Sequence, residues 1–68
     1  MQSNRQSIIA ERIEAQTKID ALENFIHGPT FYSYDVDEQE RVKRQLRILE
    51  ELESVLSERI RYFLEEAA

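Results

Sequence analysis

Cysteine is absent from this 68-residue sequence, and glycine, proline and histidine each occur once. Without cysteine there is no disulfide framework or thiolate metal site, and one histidine among scattered carboxylates makes a poor metal cage. No apolar run reaches the roughly 18 residues of a membrane span, and no basic segment followed by an apolar one marks a signal peptide. We therefore predict no metal, no cofactor and no membrane association, and expect the protein in a reducing cytoplasm.

Charge is abundant but of mixed sign. The net charge is −5 and charged residues make up 34% of the chain, with acids and bases interspersed. A nucleic-acid-binding surface needs a net basic face, so this pattern argues against nucleic acid as a partner. Charge-rich composition with helical periodicity is typical of coiled-coil-like helices.

The first half of the chain has the pattern of one amphipathic helix. Ser3 with Gln6 fits a capping box at its start, and Gly28 can supply the left-handed residue that closes it, followed by Pro29. We predict helix 1 at about residues 3–27. Its apolar stripe is interrupted by Arg12 and consists of Ile8, Ala15, Ile19, Leu22 and Ile26, widened on one side by Ile9 and Ile13.

A longer helix follows a corner at residues 28–34. Asp35 with Glu38, or Asp37 with Glu40, can form an acidic capping box, and from there no glycine or proline interrupts the chain. Acids in the first turn favour the positive end of the helix dipole. We predict helix 2 at about residues 35–65, within a single domain of residues 1–68.

Helix 2 carries two apolar stripes, and a hairpin partner can cover only one of them well. The first seam, broken by Glu53, consists of Val42, Leu46, Leu49, Leu56, Ile60 and Phe63. The second seam consists of Ile48, Leu52, Val55 and Tyr62. An uncovered apolar stripe indicates another copy of the chain or a different partner. The predicted fold is all-α: an antiparallel two-helix hairpin, coiled-coil-like, assembling into a homo-oligomeric helical bundle through the second seam.

The corner collects four of the six aromatic residues of the chain in the stretch FIHGPTFYSYD. In one interpretation the closed end of the hairpin is filled by Phe25, Ile26, Phe31 and Tyr34. Tyr32 then keeps its hydroxyl in water, and His27 merely ends helix 1. In the other, His27, Tyr32 and Tyr34 form an exposed platform for a partner or planar ligand. The two interpretations are compatible, and we favour packing.

Basic residues cluster early in helix 2, at Arg41, Lys43, Arg44 and Arg47. Pairing explains them without a ligand, because Asp37–Arg41, Glu40–Arg44 and Arg47–Glu51 all stand at i,i+4. The alternative is a phosphate-binding patch near Tyr32 and His27. Candidate binding residues are therefore His27, Tyr32, Tyr34, Arg41, Lys43 and Arg44.

Catalysis is not expected from this sequence. The one imidazole, His27, has its nearest hydroxyls, Thr30 and Ser33, in the same short turn, and nothing suggests the third group that would orient a nucleophile and its base. We predict no catalytic residues and no enzyme activity.

A pattern of spaced residues runs through the predicted hairpin, over roughly residues 19–63. It consists of Leu22, Phe25, Ile26, Pro29, Phe31, Gln45, Leu49, Val55, Leu56, Arg59 and Ile60. This pattern resembles a group of short, mostly uncharacterised accessory proteins of tailed bacteriophages and prophages, although such proteins typically read F-I-x-S in the corner, where this chain has Phe25-Ile26-His27-Gly28. It implies a phage protein made in the bacterial cytoplasm that acts by occupying a host or defence component.

Three functions are compatible with these features of the sequence. The leading hypothesis is a protein-binding inhibitor or modulator of a host or anti-phage defence protein, with an anti-defence role. The alternative is an oligomeric sponge that sequesters a nucleotide-like signalling molecule at the hairpin corners. The third is a structural coiled-coil scaffold.

Overall fold

Two antiparallel helices form the protein in a computed structural model, which describes residues 4–67. Helix α1 spans Asn4–Ile26, a short 3₁₀ turn spans Phe31–Ser33, and helix α2 spans Val36–Ala67. The hairpin measures 50 × 20 × 14 Å, so it is about one helix thick in its shortest dimension. The predicted all-α hairpin is confirmed, whereas self-association stays a prediction.

The end of α1 differs from the prediction in its mechanism. The amide of His27 donates to the carbonyl of Glu23, and the amide of Gly28 donates to the carbonyl of Phe25, both at 3.1 Å. No glycine with positive φ occurs in residues 4–67, so the left-handed closure predicted for Gly28 is wrong. A tightened last turn instead provides hydrogen-bond donors for carbonyl groups at the end of the helix. Pro29 follows this turn. The predicted Ser3 cap lies outside the described residues.

Asp35 caps the start of α2. Its Oδ1 accepts a hydrogen bond from the amide of Glu38 at 2.8 Å, which satisfies one of the free donors of the first turn. This decides between the two predicted caps in favour of Asp35. The Glu38 carboxylate turns to Arg41. The helix continues to Ala67, two residues beyond the predicted end.

The first seam of α2 packs on the stripe of α1 to form the core. Phe31 and Leu56 are the largest fully buried side chains, and Phe31 has no exposed surface at all. Glu53 on α2 meets Arg12 on α1, so the two charges that interrupt the stripes face each other. The buried apolar side chains of the described residues are Ile8, Ala15, Ile19, Phe31, Val42 and Leu56.

A single interface between two helices gives this core few buried residues. Domains of this size usually obtain only a few kcal/mol from such a core unless a disulfide, a metal or a further chain adds to it. Neither helix described here is long and apolar enough to cross a membrane.

Candidate functional site

The aromatic corner is packed around Phe31. The Phe25 ring meets Phe31 edge-on at 5.8 Å between centroids and meets Tyr34 at 5.7 Å. Such T-shaped pairs stabilise beyond their buried area. The backbone carbonyl of Tyr34 also accepts a hydrogen bond from Gln39 Nε2 at 2.8 Å. Phe25 and Phe31 therefore close the end of the hairpin, as the packing interpretation expects, whereas Tyr34 packs one side of its ring on Phe25 and stays 49% exposed.

Two of the predicted corner residues stand outside this packing. Tyr32 is 72% exposed, with its ring edge on Phe31 at 5.1 Å. His27 is exposed as well, and its Nδ1 lies 2.8 Å from the carbonyl oxygen of Glu23, to which it can donate. Tyr32 thus presents a face to solvent, while one nitrogen of His27 is engaged with the end of α1.

The concavity at this corner is small. It has a volume of about 110 Å³ and is lined by Phe25, Phe31, Tyr34, Glu38, Gln39 and Val42. Pockets for drug-sized ligands typically run from about 300 to 1,000 Å³. The carboxylate of Glu38 would also repel an anion, so the corner of one protomer is a poor place for a nucleotide-sized ligand.

The basic cluster of α2 does not form one patch. Arg41 Nε donates to Glu38 Oε1 at 2.8 Å, and this hydrogen bond raises the pKa of the guanidinium above its ordinary value. Lys43 approaches Glu40 at 3.8 Å. Residues two apart on a helix do not share a face, so Arg41 and Lys43 point to different sides.

The predicted i,i+4 pairs of this cluster are wrong within the described residues. Arg41 and Lys43 pair at i,i+3 instead, because residues three apart are also neighbours on a helix surface. Arg44 and Arg47 form no ion pair within residues 4–67. Among the basic residues predicted to bind a ligand, Arg44 is therefore the one without an ion-pair partner in the described part of the chain.

A larger groove, which the periodicity of the sequence does not predict, runs along one flank of the hairpin. It is open, has a volume of about 380 Å³, and is lined by Arg12, Ser57, Ile60, Arg61 and Leu64. Glu53 Oε2 accepts hydrogen bonds from Arg12 Nη1 and from Ser57 Oγ, both at 2.9 Å. The one sequence signal for this site is that Arg12 and Glu53 each interrupt an apolar stripe.

The second seam of α2 is exposed along its whole length. Ile48 is 60% exposed and Tyr62 58%, and Leu52 and Val55 are exposed as well. These four large apolar side chains lie on one side of α2 and do not contribute to the hairpin core. Their role as an oligomer interface stays a prediction.

Fold and surface together define a small all-helical hairpin protein with an exposed apolar seam on α2 and an open groove lined by Arg12 and Arg61. A family model described as Sequestin matches residues 2–62, and the chain therefore belongs to the Sequestin family. The name denotes sequestration, which is consistent with a binding function. No curated protein and no solved structure matches the chain.

Proposed function

We propose that this protein is a non-enzymatic accessory protein of phage type that sequesters a small, anionic, nucleotide-like molecule in the bacterial cytoplasm. The family name supports a sequestering role. We infer an anionic target from the groove of about 380 Å³, which has two guanidinium groups on its walls.

Size and charge favour this groove over the hairpin corner. Its volume falls in the range of small-molecule sites, whereas the corner concavity holds about 110 Å³. Arg61 forms no ion pair within residues 4–67. The described residues that line the groove include Arg12 and Arg61 but no carboxylate, and Glu53 lies behind them as the partner of Arg12. In a chain of net charge −5, such a local excess of positive charge can attract an anion.

The charged and the apolar side chains of the groove would contact different parts of the ligand. Guanidinium groups bind phosphate through two parallel hydrogen bonds. Arg61 is free to do so, and Arg12 uses one of its five donors on Glu53. The apolar side chains of Ile60 and Leu64 give a surface for the uncharged part of the ligand.

Calorimetry against a panel of cyclic and linear nucleotides tests the proposal. We expect at least one member to bind, and Arg61→Glu to weaken that binding more than tenfold, because it replaces an attraction by a repulsion. Arg47→Glu is the matched control, since Arg47 is an exposed arginine on α2 that does not line the groove and forms no ion pair within residues 4–67.

Corner variants separate the two possible sites. Tyr32→Ala and Arg44→Glu leave binding unchanged if the ligand lies in the groove. If these two variants abolish binding while Arg61→Glu does not, the groove assignment is wrong. Absence of binding by every nucleotide in the panel would reject the nucleotide-like target.

Sequestration of a protein is the second candidate, and the exposed second seam favours it. Large exposed apolar patches mark protein interaction sites. The target would be a host or anti-phage defence protein, held without catalysis. Recovery of one specific protein from bacterial lysate, lost on Leu52→Glu but retained on Arg61→Glu, would favour this function over the first.

A further inference from the structure

The exposed face of α2 is longer than the second seam and follows a heptad pattern. Its residues alternate at intervals of four and three, the spacing of a coiled-coil seam, and every one of them is exposed. They are Arg41, Gln45, Ile48, Leu52, Val55, Arg59 and Tyr62. The buried first seam has the same spacing one residue later, so α2 carries two adjacent heptad seams and α1 covers only one.

Beyond its acidic first turn, α2 divides into a basic stretch and an acidic stretch. Residues 41–49 contain four basic residues and no acidic one, whereas residues 50–66 contain six acidic residues and two basic ones. When a second α2 runs alongside in the opposite direction, the basic stretch of each copy lies beside the acidic stretch of the other, and opposite charges at the flanks of a helix pair favour that orientation.

We propose that α2 pairs antiparallel with α2 of a second copy of this chain, with Leu52 of one copy packed against Val55 of the other. In this register Arg44 lies beside Glu65 of the second copy, and Gln45 lies beside Tyr62. A parallel pair would place Arg41 on Arg41 and Arg59 on Arg59 in its core, which like charges oppose.

Arg44 and Glu65 are well suited to this contact. Both are exposed, and neither forms an ion pair within residues 4–67. Arg41 would reach Glu66 of the second copy but already binds Glu38 at 2.8 Å, so the pair of Arg44 with Glu65 contributes more. The contact occurs twice in a symmetric dimer.

The same register contains one contact between like charges. Glu51 faces Glu58 of the second copy, again twice, at the edge of the interface. This repulsion weakens the pair. A substitution that replaces one of the two carboxylates by a cation should therefore strengthen it.

The groove of the proposed function stays open in the pair. Arg61 follows Leu52 by nine residues, and at 3.6 residues per turn that places it on the opposite side of α2. The interface and the ligand site are therefore independent, and each can fail without the other.

Light scattering at micromolar concentration measures the assembly, and we expect a mass of at least two chains. Leu52→Glu and Val55→Glu should lower that mass, because each places a carboxylate in the apolar centre of the interface. Arg61→Glu is the control and should leave it unchanged. A wild-type monomer, or a mass that both seam variants leave unchanged, would overturn the proposal.

Charge exchange tests the register. Arg44→Glu or Glu65→Arg should each raise the dissociation constant of the pair about tenfold at low salt, because two contacts change from attractive to repulsive. The double variant Arg44→Glu/Glu65→Arg should restore it, and Arg47→Glu should have little effect. Glu58→Lys should tighten the pair several-fold, with Glu50→Lys as its control. Failure of the double variant to restore affinity, with helix content retained, rejects the register.

Spin labels decide the direction of the helices, since the chain has no cysteine of its own. In the antiparallel pair, Arg47→Cys labels are separated along the axis by about 20 Å and Ser54→Cys labels by under about 2 Å. In a parallel pair both distances are equal. A longer distance between labels at position 47 than at position 54 is expected, and equal distances would refute the antiparallel arrangement.

Discussion

Arg12 Nη1 lies 2.9 Å from Glu53 Oε2 across the hairpin, in line with the apolar side chains that form the core between the two helices. Each residue is the one charge within the buried stripe of its helix, and both are partly exposed, at 39% and 22% of their side-chain surface. The two residues are 41 positions apart in sequence and belong to different helices. Because the contact requires them to lie side by side, it aligns α1 with α2 along the hairpin axis. The same carboxylate holds the Ser57 hydroxyl at the edge of the groove.

Removing one partner of this pair should destabilise the hairpin. We expect Arg12→Leu or Glu53→Leu alone to lower the free energy of unfolding by about 1 to 2 kcal/mol, since a partly buried charge loses its partner while water still reaches it. The double variant Arg12→Leu/Glu53→Leu should regain most of this, because the stripe becomes continuous.

Urea denaturation followed by circular dichroism measures these changes, and a double-mutant cycle gives the coupling between the two residues. Lys18 and Glu14 form a matched control, as an exposed pair at 4.0 Å. Exposed pairs contribute about 0 to 1 kcal/mol. A coupling for Arg12 and Glu53 no larger than that of the control would contradict a register-fixing role.

Phe31 is the side chain on which the corner depends. Phe31→Ala should cost about 3 to 5 kcal/mol, because it empties a fully buried site and removes the edge-on contacts with Phe25 and Tyr32. Tyr32→Ala, at a neighbouring exposed ring, should cost less than about 1 kcal/mol. Equal losses of thermal stability in the two variants would show that the corner is not packed as described.

The cap of α2 should depend on the Asp35 side chain. Asp35→Ala removes the acceptor for the Glu38 amide and should cost about 1 kcal/mol, whereas Asp35→Asn retains most of the stability. Asp37→Ala tests the competing cap and should have a smaller effect. A greater loss at Asp37 in chemical denaturation would reverse the assignment.

Gly28 offers a test of how α1 ends. Its φ is not positive, and a Cβ there would lie 3.3 Å from the carbonyl oxygen of Asn24. Gly28→Ala should therefore change the free energy of unfolding by less than about 1 kcal/mol, as the lower entropy of the unfolded chain offsets a slightly tight contact. A loss above about 2 kcal/mol would indicate strain at this position.

Spacing along the chain predicts faces but not partners across the hairpin. The 3.6-residue period placed Leu56 and Val42 toward α1 and left Ile48 and Tyr62 in solvent, as the structure confirms. It could not align α1 with α2, because sliding one helix by a turn keeps the same faces in contact. The pairing of Arg12 with Glu53, and the groove beside it, follow from that alignment.

Caps and ion pairs could be predicted from the sequence where one local interaction is clearly the most favourable. They could not be predicted where several interactions have similar energies. Asp35 was among the predicted caps because few side chains can accept from a first-turn amide. Arg41 has carboxylates both three and four residues before it, and sequence does not rank the two. Gly28 permits a left-handed conformation without requiring it, and here the tightened turn prevails.

The elongated shape of the hairpin, 50 × 20 × 14 Å, affects its elution volume in gel filtration. Its radius of gyration is 15.5 Å, against about 11 Å for a compact domain of the same length. One hairpin will therefore elute early, alongside globular proteins of greater mass. Elution volume alone would thus mistake a single elongated chain for a dimer, whereas the frictional ratio from sedimentation velocity separates shape from mass.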